Sequence, residues 1–121
     1  MKKNTILLIF VLVSISITAQ NKKTSKADKL FDSYEYTQAV NEYLTLVTKE
    51  DADSYVSEQL AECNYNMYNT IEAEKWFSKV IQSQSKQNAE TYYKYAQVLK
   101  SNAKYAESDE QMKIFSGMTP N

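Results

Sequence analysis

Two amino-acid types are absent from this sequence of 121 residues, and each absence bears on function. There is no histidine, the commonest metal ligand and the commonest general base near neutral pH, so the usual catalytic constellations cannot form. There is no arginine either, and the formal net charge is -1. Because arginine supplies most bidentate contacts to phosphates and guanine edges, this composition argues strongly against binding to nucleic acid.

Carboxylates and tyrosines are the side chains left for acid–base chemistry. The pairs Asp28/Asp32 and Glu58/Glu62 are each separated by one helical turn on predicted exposed faces, where nothing predicts the shifted pKa that such chemistry requires. The acidic run 49–53 lacks the loop length and the glycine of a calcium site and reads as a solvated loop and helix cap. We therefore predict a protein that is not an enzyme, with no cofactor, no metal and no small-molecule substrate.

Glycine, proline and cysteine each occur once. Gly117 and Pro120 both fall close to the end of the sequence, so nothing interrupts helices between residue 28 and that point. Apolar residues recur at spacings of three and four rather than two, which predicts helices and few strands. A single cysteine excludes an internal disulfide, and Cys63, inside a predicted helix, reads as a small buried apolar residue.

The longest hydrophobic run lies at the start, in MKKNTILLIFVLVSISITAQ. Two lysines precede an apolar stretch from Ile6 to Ile17, and small residues follow it. This is the pattern of a secretory signal peptide, and the stretch is shorter than the roughly 20 residues that a membrane-spanning helix needs. We predict a cleaved signal peptide over 1–19 and an exported domain over 20–121. Cleavage after Gln20 and a leader retained as a membrane tether are the alternatives.

The rest of the chain repeats itself. A shift of 34 residues carries one set of positions onto another, namely Ala27, Leu30, Ala39, Tyr43 and Leu46 onto Ala61, Asn64, Ala73, Phe77 and Val80. A further shift of 35 carries Ala61, Ala73, Phe77 and Val80 onto Ala96, Ser108, Met112 and Phe115. The repetition predicts three units, over about 20–53, 54–88 and 89–121. Each unit is a pair of amphipathic helices that shares a continuous core with its neighbours when the pairs stack.

The periodicity also places the individual helices. They are predicted at about 22–33, 37–48, 54–67, 70–84, 88–101 and 104–116. Asn69, Asn88 and Asn102 stand where they can cap the last three. The stripe formed by Ala73, Phe77 and Val80 is predicted to be core.

The segments ADKLFDSYEYTQAVNEYLTLV, AECNYNMYNTIEAEKWFSKVI and AQVLKSNAKYAESDEQMKIF resemble tetratricopeptide repeats. In that family a small residue in each helix allows close approach, and an aromatic residue fills the gap four positions after the second one. Those places hold Ala27, Ala61 and Ala96, then Ala39, Ala73 and Ser108, then Tyr43, Phe77 and Met112. The turns hold Tyr34, Tyr68 and Ala103 instead of glycine. The resemblance implies an all-α fold, an α-solenoid of three helix-turn-helix repeats with about six helices.

The resemblance further implies a concave groove, lined by the first helix of each unit, that receives an extended or helical peptide. The groove positions carried over are Asp28, Phe31, Asp32, Tyr55, Glu58, Glu62, Tyr65, Asn66, Glu90, Tyr93, Gln97, Lys100 and Ser101. Acids outnumber lysine in this set, which predicts a basic or neutral partner rich in hydrogen-bond donors. The alternative is that these side chains form an ordinary solvated helical face.

Together these patterns predict an exported, non-enzymatic scaffold of the cell envelope that binds another envelope protein or peptide. A signal peptide followed by short repeats also resembles the N-terminal region of OmpA-family cell-envelope proteins of diderm bacteria, which implies a periplasmic or outer-membrane-associated location. Such a protein's N-terminal fragment, or a stand-alone version of a peptidoglycan-associated envelope or secretion-machinery protein, is one alternative. A glycan-binding module that uses the tyrosines of TYYKYAQV is another. A third is self-association through Ile114 and Phe115 of the last helix, which lack predicted cover.

Overall fold

The computed structural model describes residues 23–48, 53–83 and 87–119. Within these ranges the chain is all-helical, with six helices and no strand, which confirms the predicted all-α class and the number of helices. The helices are α1 (23–32), α2 (Tyr36–Leu44), α3 (Ser54–Asn66), α4 (Thr70–Gln82), α5 (Ala89–Ser101) and α6 (Tyr105–Met118). None of the helices in these ranges combines the length and the apolar character needed to cross a bilayer. The predicted signal peptide, 1–19, lies outside the described residues.

The helices pair as three successive hairpins. Helix α3 packs against α4 and α5 packs against α6, while α2 contacts α3 and α4 contacts α5. Helix α1 is tied to α2 by an ion pair between Lys26 and Glu42 at 2.7 Å and by a hydrogen bond from Tyr43 to Asp28. The second helix of each hairpin therefore meets the first helix of the next, so the hairpins stack in chain order.

The same turn closes all three hairpins. Tyr34, Tyr68 and Ala103 adopt positive φ angles of 62°, 59° and 61°. In each case the next residue donates its backbone N–H to a carbonyl five residues back, from Glu35 to Leu30, Asn69 to Asn64 and Lys104 to Leu99, at 2.8 to 2.9 Å. This pattern satisfies carbonyls that the end of a helix leaves open. The three turns follow the spacings of 34 and 35 residues found in the sequence.

The core contains the residues that the repeat predicts. Ala73, Phe77 and Val80 have no exposed surface, which confirms that this stripe packs inside. The residues that correspond to Ala73 in the other hairpins, Ala39 and Ser108, are also buried, at 0 % and 5 % exposure. Small side chains at these places let the two helices of a hairpin approach closely, and the burial of a ring such as that of Phe77 contributes roughly 1.5–3 kcal/mol.

The last helix, α6, buries little of its surface. Ser108 takes the place of alanine in α6, and its hydroxyl donates to the backbone carbonyl of Ala96 at 2.7 Å, which satisfies a polar group that is only 5 % exposed. Among the residues of α6, Ser108 is the one that is buried. Ile114 and Met118 remain 43 % and 38 % exposed. The outer face of α6 is therefore uncovered by the part of the chain described.

Helix α2 is shorter than predicted, because it ends at Leu44 instead of near residue 48. The N–H groups of Thr45, Leu46 and Val47 bond to carbonyls three residues back, in a tightened final turn. The Thr45 hydroxyl also donates to the carbonyl of Glu42 at 2.6 Å. Three β-branched residues within positions 45–48 lower the helix propensity of the segment, and the hydroxyl bond offers the backbone an alternative to continuing the helix.

Two of the three predicted caps are confirmed. The side chain of Asn69 accepts from the N–H of Glu72 at 3.5 Å, and that of Asn88 accepts from Thr91 at 3.0 Å. The prediction that Asn102 caps α6 is wrong. Its amide donates instead to the carbonyl of Thr70 at 3.0 Å and joins the third turn to the start of α4. The residue before α6 is Lys104, which makes no side-chain cap bond.

Candidate functional site

The first helices of the three hairpins lie side by side. Tyr55 in α3 donates to Asp28 in α1 at 2.8 Å, and Lys94 in α5 contacts Glu62 in α3 at 2.6 Å. These cross-helix contacts place the predicted groove positions of α1, α3 and α5 along one side of the stack. We call this side, which carries the residues predicted for the groove, the first-helix face.

At one end of the face, Asp28 is the centre of a hydrogen-bond cluster. Its carboxylate accepts from the hydroxyls of Thr24 at 2.7 Å, Tyr43 at 2.5 Å and Tyr55 at 2.8 Å. The hydroxyl of Tyr43 also accepts from the amide of Gln59 at 3.2 Å. Burial, together with the hydrogen bond to Asp28, raises the pKa of Tyr55 to about 12 and raises the pKa of Tyr43 as well. Asp28 thus holds α1, α2 and α3 together.

Lys94 occupies the middle of the face, although the predicted set does not include it. It forms ion pairs with Glu62 at 2.6 Å and Glu90 at 2.9 Å, and its ammonium group lies 5.4 Å from the ring centre of Tyr65. Burial raises the pKa of Glu62 despite the neighbouring lysine. Burial acts to lower the pKa of Lys94, but the two carboxylates outweigh it, so the net shift is upward.

These contacts engage most of the acids that the sequence predicts for the face. Glu62 and Glu90 share Lys94, Asp28 accepts three hydrogen bonds, and Glu58 accepts from the hydroxyl of Thr91 at 3.3 Å. Asp32 is the exposed acid of the predicted set that has no bond to another described residue. Lys94 therefore offsets one of these negative charges, while Asp28 and Glu58 keep theirs and are held in place by neutral hydroxyl donors.

A cleft of about 330 Å³ opens between α3 and α5, on the side of the turns. We call it the tyrosine cleft, and its lining is Tyr65, Asn66, Tyr68, Thr70, Tyr93, Gln97, Val98 and Ser101. None of these side chains is charged, although charged residues make up 24 % of the sequence. The cleft offers three aromatic rings, two amides and two hydroxyls, and these groups bind by contact area and hydrogen bonding.

The cleft brings together a subset of the predicted groove residues. Tyr65, Asn66, Tyr93, Gln97 and Ser101 meet there. Three lining residues lie outside the predicted set, namely Tyr68, Thr70 and Val98. The sequence carried one signal for Tyr68, because it stands at a predicted turn and turns run over the surface of a protein.

Packing fixes two of the three rings. The ring of Tyr93 lies 5.2 Å from that of Phe115, and the ring of Tyr65 meets that of Phe77 edge-on at 6.3 Å. Tyr68 is 90 % exposed, and its backbone is held by the turn. The rings of Tyr65 and Tyr93 therefore have limited freedom to lose when a ligand binds, which favours binding.

The other predicted residues lie elsewhere on the face. Phe31 packs edge-on against Tyr36 at 5.6 Å, and Lys100 is exposed on α5 outside the lining of the cleft. Tyr55 borders a second cleft, of about 470 Å³, between α1 and α3, which differs in carrying charged side chains: Lys23, Asp28 and Asp53. Asp53 also caps α3 by accepting from the N–H of Tyr55 at 2.8 Å, in agreement with the cap predicted for the acidic run.

Neither a metal-binding cluster nor an exposed thiol occurs among the described residues. Over the ranges 23–48, 53–83 and 87–119, no group of three or more Cys, Asp or Glu side chains is placed to hold a metal ion. Cys63 is fully buried, and burial, with the nearby charge of Glu62, raises the pKa of its thiol to about 12.

Comparison of the chain with protein-family models, curated proteins and solved structures found no match.

Proposed function

We propose that this chain is an exported, non-enzymatic scaffold of the cell envelope that binds a partner protein or peptide through its first-helix face. The observation that carries the proposal is the uncharged, tyrosine-lined cleft between α3 and α5. The centres of protein interfaces are depleted in charged residues and enriched in tyrosine. Tyrosine supplies a large, rigid contact area with few torsion angles to freeze, and amide and hydroxyl groups supply adaptable hydrogen bonds.

We further propose that the stack is a solenoid of the tetratricopeptide type. Three observations support it. The turns recur at 34 and 35 residues with the same backbone geometry. Small residues such as Ala61 and Ala73 are buried where the helices of a hairpin meet. Successive hairpins contact through the second helix of one and the first helix of the next. In such arrays the first helices line the binding surface, which is where the tyrosine cleft lies.

A location in the periplasm or at the outer membrane of a diderm bacterium belongs to the same proposal. Export rests on the charged start, apolar stretch and small residues of the 1–19 segment, and the location rests on the resemblance to OmpA-family envelope proteins. Mass spectrometry of the chain recovered from the envelope tests this part, because a processed chain is expected to begin at Gln20.

The test of partner binding is site-specific photo-crosslinking in the cells that make the chain. A photoreactive residue replaces Tyr68, which is 90 % exposed at the cleft. The matched control carries it at Tyr34, which has the same turn geometry and 78 % exposure but lies in the first hairpin. We expect one discrete protein adduct from position 68 and none from position 34.

The captured protein is then purified, and its affinity for the unmodified chain and for Tyr68→Gly is measured by calorimetry. Binding that is lost in Tyr68→Gly and retained in Tyr34→Gly supports the proposal. The same adducts from both positions, or a captured protein that binds both variants equally well, would show that the cleft is not the working surface.

A further inference from the structure

The tyrosine cleft is lined by uncharged side chains, whereas the rest of the first-helix face carries charged ones. The second cleft, between α1 and α3, is bordered by Lys23, Asp28 and Asp53, whereas the lining of the tyrosine cleft has no ionisable acid or base apart from phenols. We infer that the partner segment entering the tyrosine cleft is an uncharged stretch of polypeptide that binds through hydrogen bonds and apolar contact. This inference rests on the proposed function and adds the chemistry of the partner to it.

The nearest ionic group does not change this conclusion. Lys94 lies against the ring of Tyr65, but its ammonium group is already held by Glu62 and Glu90, and 18 % of its side chain is exposed. A partner carboxylate would have to displace one of these two acids. A partner lysine or arginine would meet this cation and would have to compete with it for Glu62 and Glu90. Either charged group would lose water at the cleft and find there no counter-ion that is not already paired, and such burial is unfavourable.

What the cleft does offer is unused hydrogen-bonding capacity. The side-chain amides of Asn66 and Gln97 make no hydrogen bond to any other residue that the structure describes, and each can both donate and accept. The hydroxyl of Ser101 donates to the carbonyl of Gln97 at 3.0 Å and keeps its lone pairs for a ligand. Backbone amides and the side chains of serine, threonine, asparagine and glutamine match these groups, and an apolar or aromatic side chain matches the rings of Tyr68 and Tyr93.

A pair of opposite charges placed at one position tests the inference. Gln97→Glu and Gln97→Lys put an acid and a base into the cleft, and Gln38→Glu and Gln38→Lys repeat both changes on an exposed part of α2. The probe is a displayed library of random peptides, selected on the purified full chain, and the affinities of the enriched peptides are then measured by calorimetry. Ser101→Asp and Ser101→Lys provide a second pair in the event that a change at Gln97 disturbs folding.

We expect the enriched peptides to lack charged residues in their common stretch. Both Gln97 variants should weaken binding by about tenfold or more, since each leaves a charge without a counter-ion in the complex. The Gln38 variants should leave the affinity unchanged.

Three other outcomes would overturn the inference. Basic peptides that bind Gln97→Glu more tightly and Gln97→Lys more weakly, or acidic peptides with the reverse pattern, would show a charged partner and leave the proposed function standing. Peptides whose affinity is unaffected by the changes at Gln97, at Ser101 and by Tyr68→Gly would remove the cleft as a docking site and the proposed function with it. Chitotriose that shifts the amide resonances of Tyr68, Gln97 and Ser101, with no peptide doing so, would identify a saccharide site instead.

Discussion

At the scale of single residues, Asp28 is the side chain on which most of the first hairpin depends. Its carboxylate accepts hydrogen bonds from the hydroxyls of Tyr43 and Tyr55, so one acid joins α1 to both α2 and α3. Removing a proton from either phenol would place an anion beside this carboxylate. The cluster should therefore make the stability of the fold sensitive to alkaline pH.

We predict that the free energy of unfolding falls as the pH rises above 10. The pKa of Tyr55 is raised from 10.0 to about 12, and that of Tyr43 is raised in the same direction. Below pH 10 both phenols are protonated in the folded and the unfolded chain, so the stabilisation is fully present. Between pH 10 and 12 the unfolded chain loses phenol protons that the folded chain retains, which favours unfolding. Urea unfolding at a series of pH values measures the effect.

Asp28→Asn should reduce this alkaline loss, because it removes the negative charge that opposes phenol ionisation. It should also shift the late part of the tyrosinate absorbance titration to lower pH. Asp109→Asn, an exposed change in α6, serves as the control. An identical alkaline loss of stability in Asp28→Asn and Asp109→Asn would show that the cluster does not carry the effect.

Cys63 gives a second prediction at this scale. Its side chain is fully buried in α3 and the pKa of the thiol is raised to about 12, so the folded chain should not react with Ellman's reagent at neutral pH. The reaction should begin only as denaturant unfolds the chain. A control with Cys63→Ala and Ser116→Cys, which moves the thiol to an exposed position of α6, should react at once. Rapid labelling of native Cys63 would contradict the burial described.

At the scale of the elements, the three turns carry backbone strain in the same place. Tyr34, Tyr68 and Ala103 adopt a left-handed conformation that costs residues with a Cβ atom roughly 1–2 kcal/mol. The backbone hydrogen bonds that close each hairpin offset part of this cost. Glycine would remove the steric part of it while adding flexibility to the unfolded chain.

We therefore predict that Ala103→Gly raises the free energy of unfolding by about 1 kcal/mol. Ala106→Gly, three residues later in the first turn of α6, should lower it by about 1 kcal/mol, because glycine disfavours helix there. Thermal or urea unfolding followed by circular dichroism compares the two. If both variants lost stability, the positive φ at residue 103 would not be the source of strain.

The sequence predicted the elements well where the periodicity was strong and less well where local bonds competed. The α3, α4 and α5 bounds differ from prediction by two residues or fewer. Helix α2 ends early where the hydroxyl of Thr45 bonds to a backbone carbonyl of its own helix. Asn102 does not cap α6 because its amide bonds to Thr70 of another hairpin. Contacts of that second kind cannot be derived from the spacing of residues along a single helix.

At the scale of the whole molecule, burial is lowest toward the two ends of the stack. Among the described residues the first hairpin buries Ala27, Ala39 and Tyr43, and α6 buries Ser108 alone, whereas α3 and α4 of the middle hairpin each bury at least four residues. In a stack whose hairpins contact only their neighbours, the helices that bury the fewest side chains should open first. We predict that the amides of α6 exchange with deuterium faster than those of α3 and α4, which hydrogen-exchange mass spectrometry can measure. Equal protection across the three hairpins would contradict the prediction.

The same measurement addresses the prediction of self-association through Ile114 and Phe115. Ile114 is 43 % exposed, while Phe115 is partly covered by Tyr93. If a second copy covers this face, protection of α6 should rise with protein concentration, and light scattering should show a dimer that Phe115→Asp dissociates. Protection that does not change with concentration would remove self-association as an alternative.

The sequence predicted which residues line the candidate site better than it predicted the charge of the surface around it. The position of the first helices in the repeat pointed to Tyr65, Tyr93 and Gln97, which do meet in one cleft. The charge of the face was not predictable, since it depends on distances between helices, such as the 2.6 Å contact between Lys94 and Glu62. The predicted set left out Lys94, whose charge offsets one of the acids of the face.

The tyrosine cleft belongs to a junction and not to any one hairpin. The second hairpin supplies the wall that includes Tyr65 and Tyr68, and the third supplies the wall that includes Tyr93 and Gln97. Within each hairpin the two small core residues are twelve positions apart, while the spacing between hairpins varies by one residue. Each hairpin is therefore a structural unit that can be duplicated or exchanged as a whole. Such a change would alter the binding specificity of the clefts between that hairpin and its two neighbours.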